Sequence, residues 1–370
     1  MDPDLSEAEV DDRPEHAAEH GSVEMTSEQL QESKEYGRRE LACSLLDMAI
    51  DVGYLAIMAF FVATSLDRWL AGWSSLQNAW LRLGALYLLT MGLHYVISFP
   101  LSVYSGFLLE HQYGLSRQSF ARWFRRYLLQ NLLVVAFGLL MVTGLFAIIW
   151  WAGSTWWLVA AGASFVVTVL LGQFIPVLIL PLFYKIERLE NDDLAERFQR
   201  LARDTSLRLE GVYRMQLSSE TAKANAMLAG LGRTRRVLLG DTLLDDFSPD
   251  EIEVVLAHEI GHHVFHHITK LILVGLAYSA ASFFICDRII RFWVGAGEGH
   301  FDYSQVPVAA LPLLLLVVTV FSLLLSPLRN YVSRRFENQC DRYALQVTEK
   351  PDAYRSAFSK LAKLNKADPD

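Results

Sequence analysis

The chain has 370 residues, of which 52% are hydrophobic, with a mean hydropathy of +0.24 and a formal net charge of −8 at pH 7. This composition is too apolar for an ordinary soluble protein. Lysine and arginine form no stripe with interleaved aromatic residues, so nothing indicates a nucleic-acid-binding protein.

The first 38 residues are polar and acidic, and they contain no apolar core of the kind that a cleavable signal peptide needs. Low hydrophobicity combined with high charge is typical of a segment that does not fold. We therefore expect residues 1–40 to form an acidic, disordered N-terminal tail, which contributes much of the negative charge.

Six segments are long and apolar enough for transmembrane helices, each of which needs about 20 mostly apolar residues. They cover residues 41–66, 80–109, 127–151, 156–183, 268–294 and 306–325. Four of them fall within residues 41–185 and two within residues 268–326. The sequence therefore predicts a mainly α-helical integral membrane protein, with the lipid bilayer as a partner.

Positive charges in the short loops predict the orientation, because lysine and arginine accumulate on the cytoplasmic side. They lie before the first segment, between the second and third, after the fourth and after the sixth: Lys34, Arg38, Arg39, Arg117, Arg122, Arg125, Arg126, Lys185, Arg188, Arg329, Arg334 and Arg335. The opposite loops are poorer in cations. Both termini and the large loop between the fourth and fifth segments are therefore predicted to be cytoplasmic.

That large loop, residues 186–267, is expected to be a cytoplasmic catalytic domain. Its residue patterns predict a helix over 192–206 and short strands over 211–217, 224–228 and 236–239. Ser248 and Pro249 then open a second helix with a suitable N-cap and first turn. A small β-sheet followed by this helix is the expected arrangement. Because no helix breaker follows His267, we expect the helix to continue into the fifth segment.

The second helix carries His258-Glu259-Ile260-Gly261-His262, which reads H-E-x-x-H. Residues four apart share a helix face, so both imidazoles can reach one metal ion. Glu259 lies beside them, where it can take a proton from a water molecule that the metal activates. The pattern indicates a metal-dependent hydrolase. The alternative is a solvated helix that is rich in histidine and glutamate.

A catalytic zinc usually takes three protein ligands, so the two histidines need a further partner. In residues 327–370, Glu337 and Asp341 lie four apart on one helix face. Because the fifth and sixth segments form a hairpin, this stretch returns to the membrane side that holds His258 and His262. We expect Glu337 to complete a site for one zinc ion per chain, and Asp341 to accept a hydrogen bond from a ligand imidazole.

Three ionisable residues lie inside apolar segments, namely Asp47, Asp51 and His94. They could line a water-filled cavity that admits peptide, or the aspartates could lie near the cytoplasmic interface. The chain also has three scattered cysteines, which resemble neither a disulfide framework nor a metal cluster and are expected to be buried: Cys43, Cys286 and Cys340.

Three blocks together resemble the integral-membrane zinc metalloproteases that include the type I CAAX prenyl protease and the HtpX-like heat-shock proteases. The blocks are Lys223-Ala224-Asn225-Ala226 with Gly230, residues 237–244 running into the H-E-x-x-H, and Ser333-Arg334 with Glu337 and Asp341. Residues 181–185 and 110–116 are similar to the prenyl-protease branch in particular. The resemblance covers residues 100–345, and Cys340 stands where the family usually has alanine.

The resemblance implies a gluzincin-like zinc endopeptidase. In it, zinc would be held by His258, His262 and Glu337, and Glu259 would be the catalytic base. One branch of the family trims prenylated C-terminal CAAX peptides, and the other degrades damaged membrane proteins. The prenyl-protease branch is the closer one, and the quality-control protease is the alternative.

Four other residues receive supporting roles. By the same resemblance, Asn225 and Ala226 would bind a peptide or protein substrate, because such proteases commonly take substrate as an added strand on a sheet edge. His267 is expected to support the ligands from an adjacent helix face. Arg334 could stabilise the oxyanion or form an ion pair on its own helix. A metal-binding transporter or sensor is the alternative of another class, but the candidate ligands cluster outside the membrane segments.

Overall fold

The computed structural model describes residues 25–203, 205, 207, 210–230, 235–295 and 301–367. Helices dominate it, and π-helical turns join several of them into longer runs. The α-helices are α1 Ser27–Ile57, α2 Ala63–Ala71, α3 Ala79–Val103, α4 Glu110–Gln112, α5 Phe120–Ala152, α6 Trp156–Phe174, α7 Leu180–Phe183, α8 Asp192–Arg203, α9 Asp241–Asp246, α10 Pro249–Val264, α11 His267–Val294, α12 Leu311–Thr348 and α13 Pro351–Asn365.

The expected disordered tail is wrong for residues 27–40, because they form the first turns of α1. The rest of that prediction, residues 1–24, lies outside the described residues. Thr26 begins the helix with a capping box. Tyr36 on α1 is buried, and its hydroxyl donates to Glu110 at 2.6 Å. The polar start of the helix is therefore held by packing against α4, at the end of the second span.

Within the described residues, five helical runs are long and apolar enough to cross a membrane: Ser27–Ala71, Ala79–Gln112, Phe120–Phe174, His267–Val294 and Val308–Thr348. The third run has 55 residues. As one straight helix it would measure about 80 Å, well beyond the roughly 30 Å hydrocarbon core. It turns at Gly153, whose φ is 57°, and side chains on both sides of this turn line one cavity. Helices α5 and α6 therefore form a hairpin, which corresponds to the third and fourth predicted segments.

A small four-stranded sheet lies between α7 and α9, before the last two membrane-crossing runs. Its strands are β1 Ile186–Arg188, β2 Gly211–Met215, β3 Ala226–Ala229 and β4 Arg236–Gly240, in the order β1-β2-β4-β3. Strand β4 pairs parallel to β2 and antiparallel to β3, and β1 pairs antiparallel to β2. The predicted small sheet is confirmed, although β1 was not predicted. Strand β3 occupies one edge of the sheet.

The sheet packs on α8 and α10 through one apolar core, in which Phe198, Val237, Leu239 and Ile260 are almost completely buried. A capping box between Ser248 and the third helical residue starts α10. Burial of each large side chain of this kind stabilises the fold by about 1.5–3 kcal/mol. This core fixes the helix that carries the H-E-x-x-H beneath the sheet.

The prediction that this helix continues into the fifth span is wrong. Helix α10 ends at Val264, and His266 then adopts a left-handed conformation with φ of 55°, before α11 begins at His267. A left-handed residue cannot continue a right-handed helix, so the chain changes direction here. The turn brings His267 back towards His262, which lies in the preceding helix.

The sixth span and the helix that carries Glu337 are one continuous helix. Helix α12 has 38 residues, so it is about 57 Å long and extends well past the hydrocarbon core. Helix α13 follows it and was not predicted within residues 327–370. Its Tyr354, Phe358 and Leu361 pack on the core that holds α10. Helix α13 therefore covers this core on the side of α10.

Candidate metal centre and substrate edge

Helices α10 and α12 approach each other closely at Gly261. A Cβ atom at this position would lie 3.1 Å from Cys340 Cα, 3.1 Å from its Sγ and 3.2 Å from its Cβ. A larger residue would therefore force the two helices apart. The glycine in H-E-x-x-H thus allows the side chains of α10 to reach those of α12.

Three potential ligand atoms converge across this helix pair. The Oε2 atom of Glu337 lies 3.1 Å from His258 Nε2 and 3.7 Å from His262 Nε2. Tetrahedral zinc with ligand distances of about 2.0–2.1 Å keeps its ligand atoms about 3.3 Å apart. The two distances from the carboxylate oxygen to the ring nitrogens are therefore close to those around such an ion.

A carboxylate fixes the orientation of the His258 ring. His258 Nδ1 donates to Asp341 Oδ1 at 2.9 Å, and the Tyr354 hydroxyl also donates to the Asp341 carboxylate. Burial lowers the pKa of His258, but the hydrogen bond to Asp341 and the charges of Glu259 and Glu337 outweigh it, so the pKa is raised overall. With the proton on Nδ1, the lone pair on Nε2 faces Glu337, which is the arrangement that a cation needs.

A chain of two hydrogen bonds, through His267 to Gln339, orients His262. Gln339 Oε1 can only accept, so His267 Nε2 donates to it at 2.9 Å and His267 Nδ1 is left as an acceptor. That atom lies 3.1 Å from His262 Nδ1, which therefore carries the proton and leaves Nε2 directed at Glu337. The His267 ring also stacks on Phe336, with centroids 3.9 Å apart. Both histidines of the motif thus present Nε2 to the same point.

Glu259 extends from α10, the helix that carries the H-E-x-x-H, towards the edge of the sheet. Its carboxylate accepts a hydrogen bond from the backbone N–H of Leu228 in β3. Burial raises the pKa of Glu259, and this effect outweighs the opposing effects of His258 and the Leu228 N–H. A carboxylate with a raised pKa is better matched to proton transfer near neutral pH than an exposed one.

The thiol of Cys340 also lies close to the histidines. Its Sγ and one ring nitrogen from each of His258 and His262 all lie within 4.8 Å of one another. The Glu337 carboxylate oxygen lies 3.1 and 3.7 Å from the two Nε2 atoms, and Cys340 is completely buried against Gly261. The three cysteines are buried and unpaired, in line with the role expected for them. Glu337 and Cys340 are therefore both within reach of the two imidazoles as a third donor.

Asn225 and Ala226 lie at the start of the edge strand. Asn225 is exposed, and its carbonyl accepts from the Gly240 N–H at 2.8 Å. Residues directly opposite each other in an antiparallel pair alternate between hydrogen-bonded and open pairs. The peptide groups of Asn225 and Met227 therefore face β4, whereas those of Ala226 and Leu228 face away from the sheet, as the bond from Leu228 to Glu259 requires.

Arg334 is the one predicted site residue that stands apart. Its side chain is exposed on α12, and among the described residues it makes no hydrogen bond or ion pair. Asp51 and His94, both inside the membrane part, do meet, with His94 Nε2 2.7 Å from Asp51 Oδ1.

Sequence reasoning missed three residues that act on the site: Leu228, Gln339 and Tyr354. Tyr354 belongs to the amphipathic spacing of Tyr354, Phe358 and Leu361, so the apolar period could have revealed α13. Leu228 contributes through its backbone, and no side-chain pattern signals such a contribution.

Two family models match adjacent parts of the chain. The one described as CAAX prenyl protease N-terminal, five membrane helices, matches residues 10–185, and the one described as Peptidase family M48 matches residues 188–368. The fold and these matches define a membrane-embedded metallopeptidase. The chain belongs to peptidase family M48, in the group that carries the CAAX prenyl protease N-terminal domain.

Several relatives span most of the chain. The uncharacterized metalloprotease YhfN of Bacillus subtilis is 28% identical over 327 residues, which cover 84% of this chain and 77% of that protein. The CAAX prenyl protease 1 homolog of Dictyostelium discoideum is 26% identical over 337 residues, which cover 87% and 77%. The crystal structure of Ste24p from S. mikatae has the same fold, with a TM-score of 0.79, 23% identity and coverage of 94% of this chain and 84% of that chain.

Proposed function

We propose that this metalloprotease is a zinc-dependent endopeptidase in which His258, His262 and Glu337 hold the metal and Glu259 is the general base. The observation that carries the proposal is the position of Glu337 Oε2, 3.1 and 3.7 Å from the two Nε2 atoms. Asp341 and His267 are positioning residues, since each holds one ligand ring by its Nδ1 atom.

A zinc ion bound there would supply Lewis acidity, which polarises a scissile carbonyl and lowers the pKa of a water molecule. Glu259 takes a proton from the attacking water and later delivers it to the leaving amine. The Leu228 N–H holds the Glu259 carboxylate beside β3. The base is therefore aligned with the strand along which a substrate would lie.

The open edge of β3 is the proposed substrate site. The N–H and C=O of Ala226 face away from β4, so an extended peptide can pair with them as an additional strand. Asn225 is exposed next to them and is proposed to contact the same peptide. Strand addition would bring a scissile bond close to Glu259, because Leu228 lies on the same outward side as Ala226.

Prenylated or membrane-associated peptides are the proposed substrates. Support comes from the relatives named CAAX prenyl protease 1 and from the matching N-terminal membrane domain. The excess of positive charge in the loops on the side of the metal centre supports a cytoplasmic active site. A CAAX C-terminus that is exposed on the cytoplasmic leaflet would meet the centre at the membrane surface.

The test uses the full chain purified in detergent or nanodiscs. Metal content is measured together with cleavage of a quenched peptide, in the wild type and in Glu259→Gln. We expect one zinc per chain in both proteins and a loss of cleavage by about 10²–10⁴-fold in the variant, because the glutamine cannot accept the proton. Full cleavage by Glu259→Gln would refute its role as the base.

The substrate class needs a separate comparison. Cleavage of a farnesylated CAAX peptide is measured beside its unmodified form, with the Glu259→Gln protein as the background control. A higher kcat/KM for the farnesylated peptide supports the prenyl-protease assignment. Equal values would favour the alternative of a protease for damaged membrane proteins.

A further inference from the structure

The C-terminal helix places a side-chain amide against the backbone next to the proposed substrate strand. Asn365, the last residue of α13, accepts from the Ala224 N–H through Oδ1 at 2.9 Å, and its Nδ2 donates to the Ala224 carbonyl at 3.2 Å. One amide thus satisfies both backbone groups of one residue. A neighbouring β-strand would satisfy them in the same way.

The direction of these bonds follows the alternation of the strand. Asn225 faces β4, because its carbonyl accepts from the Gly240 N–H. Ala224, Ala226 and Leu228 therefore direct their peptide groups to the outer side of the edge. Asn365 fills the position at Ala224, and Glu259 takes the N–H of Leu228. Among the residues that the structure describes, nothing pairs with either outward peptide group of Ala226 between them.

Contacts on both sides hold Asn365 in place. Lys366, the next residue, forms an ion pair with Glu32 of α1, with Nζ 2.6 Å from Oε2. Five residues earlier on α13, Lys360 forms an ion pair with the buried Glu251 of α10 at 2.8 Å. The amide is therefore fixed relative to both α1 and α10.

We infer that Asn365 is a specificity-determining residue that closes the substrate edge of β3 at Ala224. Its amide occupies the place of a substrate peptide group, so a bound peptide pairs with Ala226 and cannot extend its pairing past Asn225. This cap sets the register of the substrate relative to Glu259 and limits the number of backbone hydrogen bonds on that side. The inference rests on the proposed substrate edge.

The first experiment compares a core peptide with two versions of it, extended by two residues at the N-terminus or at the C-terminus. With the wild type, the extension that runs towards Ala224 should not change kcat/KM. Asn365→Ala frees both groups of Ala224, so one of the two extended peptides should gain about 2- to 10-fold in kcat/KM relative to the core peptide. Mass spectrometry of the products also reports whether the cleaved bond shifts.

Lys363→Ala is the matched control, because this exposed lysine lies in the last turn of α13 and its side chain takes no part in the contacts that hold Asn365. It should show the length dependence of the wild type. Equal losses of kcat/KM on all three peptides in Asn365→Ala, with the same bond cleaved, would overturn the inference. They would mean that Asn365 only holds the segment that precedes β3 in place.

A second measurement uses only the wild type, so it does not depend on the folding of a variant. Single backbone N-methyl groups are placed along the peptide, and kcat/KM is measured for each. We expect a loss only at the positions that pair beside Ala226. Losses at a further alternate position beyond Asn225 would contradict the cap. If the wild type cleaves none of the peptides, or cleaves them without Glu259, then the proposed function fails instead.

Discussion

The proposed metal centre and the proposed substrate edge lie on two sides of Glu259, and they are built in opposite ways. At the metal centre, side chains from α10 and α12 converge, and each ligand ring is held by a further partner. At the edge, the groups available to a peptide are N–H and C=O groups of β3, and among the described residues only the neighbours on either side are capped. One region is preorganised and filled, whereas the other is left open for a partner strand.

This difference separates two functional requirements. A metal needs fixed donors in a small volume, so its site tolerates little displacement. A protease that acts on varied peptides reads mainly the backbone, so its binding strand can be open and sparing in side-chain contacts. Changes at the metal centre should therefore affect metal retention, while changes at the edge should affect peptide binding and leave the metal in place.

Of the changes that separate the two regions, the largest effect is expected at the Asp341 carboxylate, which binds His258 Nδ1. The Asp341 carboxylate orients the His258 ring, and its charge makes Nε2 more basic. Asp341→Asn removes that charge, so zinc affinity should fall by about 10–100-fold. Competition with a chromophoric chelator measures this change. Tyr354→Phe, which removes only one hydrogen bond to Asp341, should cause a smaller loss. Wild-type affinity in Asp341→Asn would show that the ring does not need this partner.

A steric change at the helix contact should have the next largest effect. Gly261→Ala places a methyl group about 3.1 Å from the Cys340 backbone, so overpacking should destabilise the protein by about 1–2 kcal/mol. Thermal unfolding with and without a chelator measures the change. The control is Gly275→Ala in α11, where no heavy atom lies within 4 Å of the added group. Equal stability of the two variants would contradict the close approach of α10 and α12.

A smaller effect is expected at the substrate edge. Ala226→Pro removes an N–H that faces away from β4, and proline is tolerated on edge strands. Loss of one hydrogen bond to the substrate should lower kcat/KM by about 2- to 10-fold, with zinc content and thermal stability preserved.

Met227→Pro supplies the contrast at the adjacent position, because its N–H faces β4. This variant should unfold at a lower temperature, with activity lost through folding. If Ala226→Pro instead destabilised the protein as much as Met227→Pro, the assignment of outward and inward groups along β3 would be wrong.

The sequence carried most of the information about the metal centre and little about the edge. His258, His262, Glu337 and Asp341 were predicted from helical spacing and from the hairpin that returns α12 to α10. These four residues act through their side chains, and side-chain identity can be read directly from the sequence. Leu228 and the cap on Ala224 escaped prediction, because they act through the backbone and through a contact between residues that are far apart in the chain.

The errors in the fold have equally local causes. Residues 27–40 were predicted to be disordered because they are highly charged. They form a helix nevertheless, because Tyr36 packs in the interior and bonds Glu110. The break after α10 was missed because His266 takes the left-handed conformation that glycine usually marks. Tertiary contacts override composition at the first site and decide the backbone conformation at the second.

The most direct test of the metal centre is X-ray absorption at the zinc edge on the purified wild type, Cys340→Ser and Glu337→Gln. Zinc held by two histidines and Glu337 should show only nitrogen or oxygen neighbours at about 2.0–2.1 Å. The spectrum should be unchanged in Cys340→Ser, and Glu337→Gln should bind zinc more weakly. A sulfur neighbour at about 2.3 Å that disappears in Cys340→Ser would contradict the His-His-Glu site.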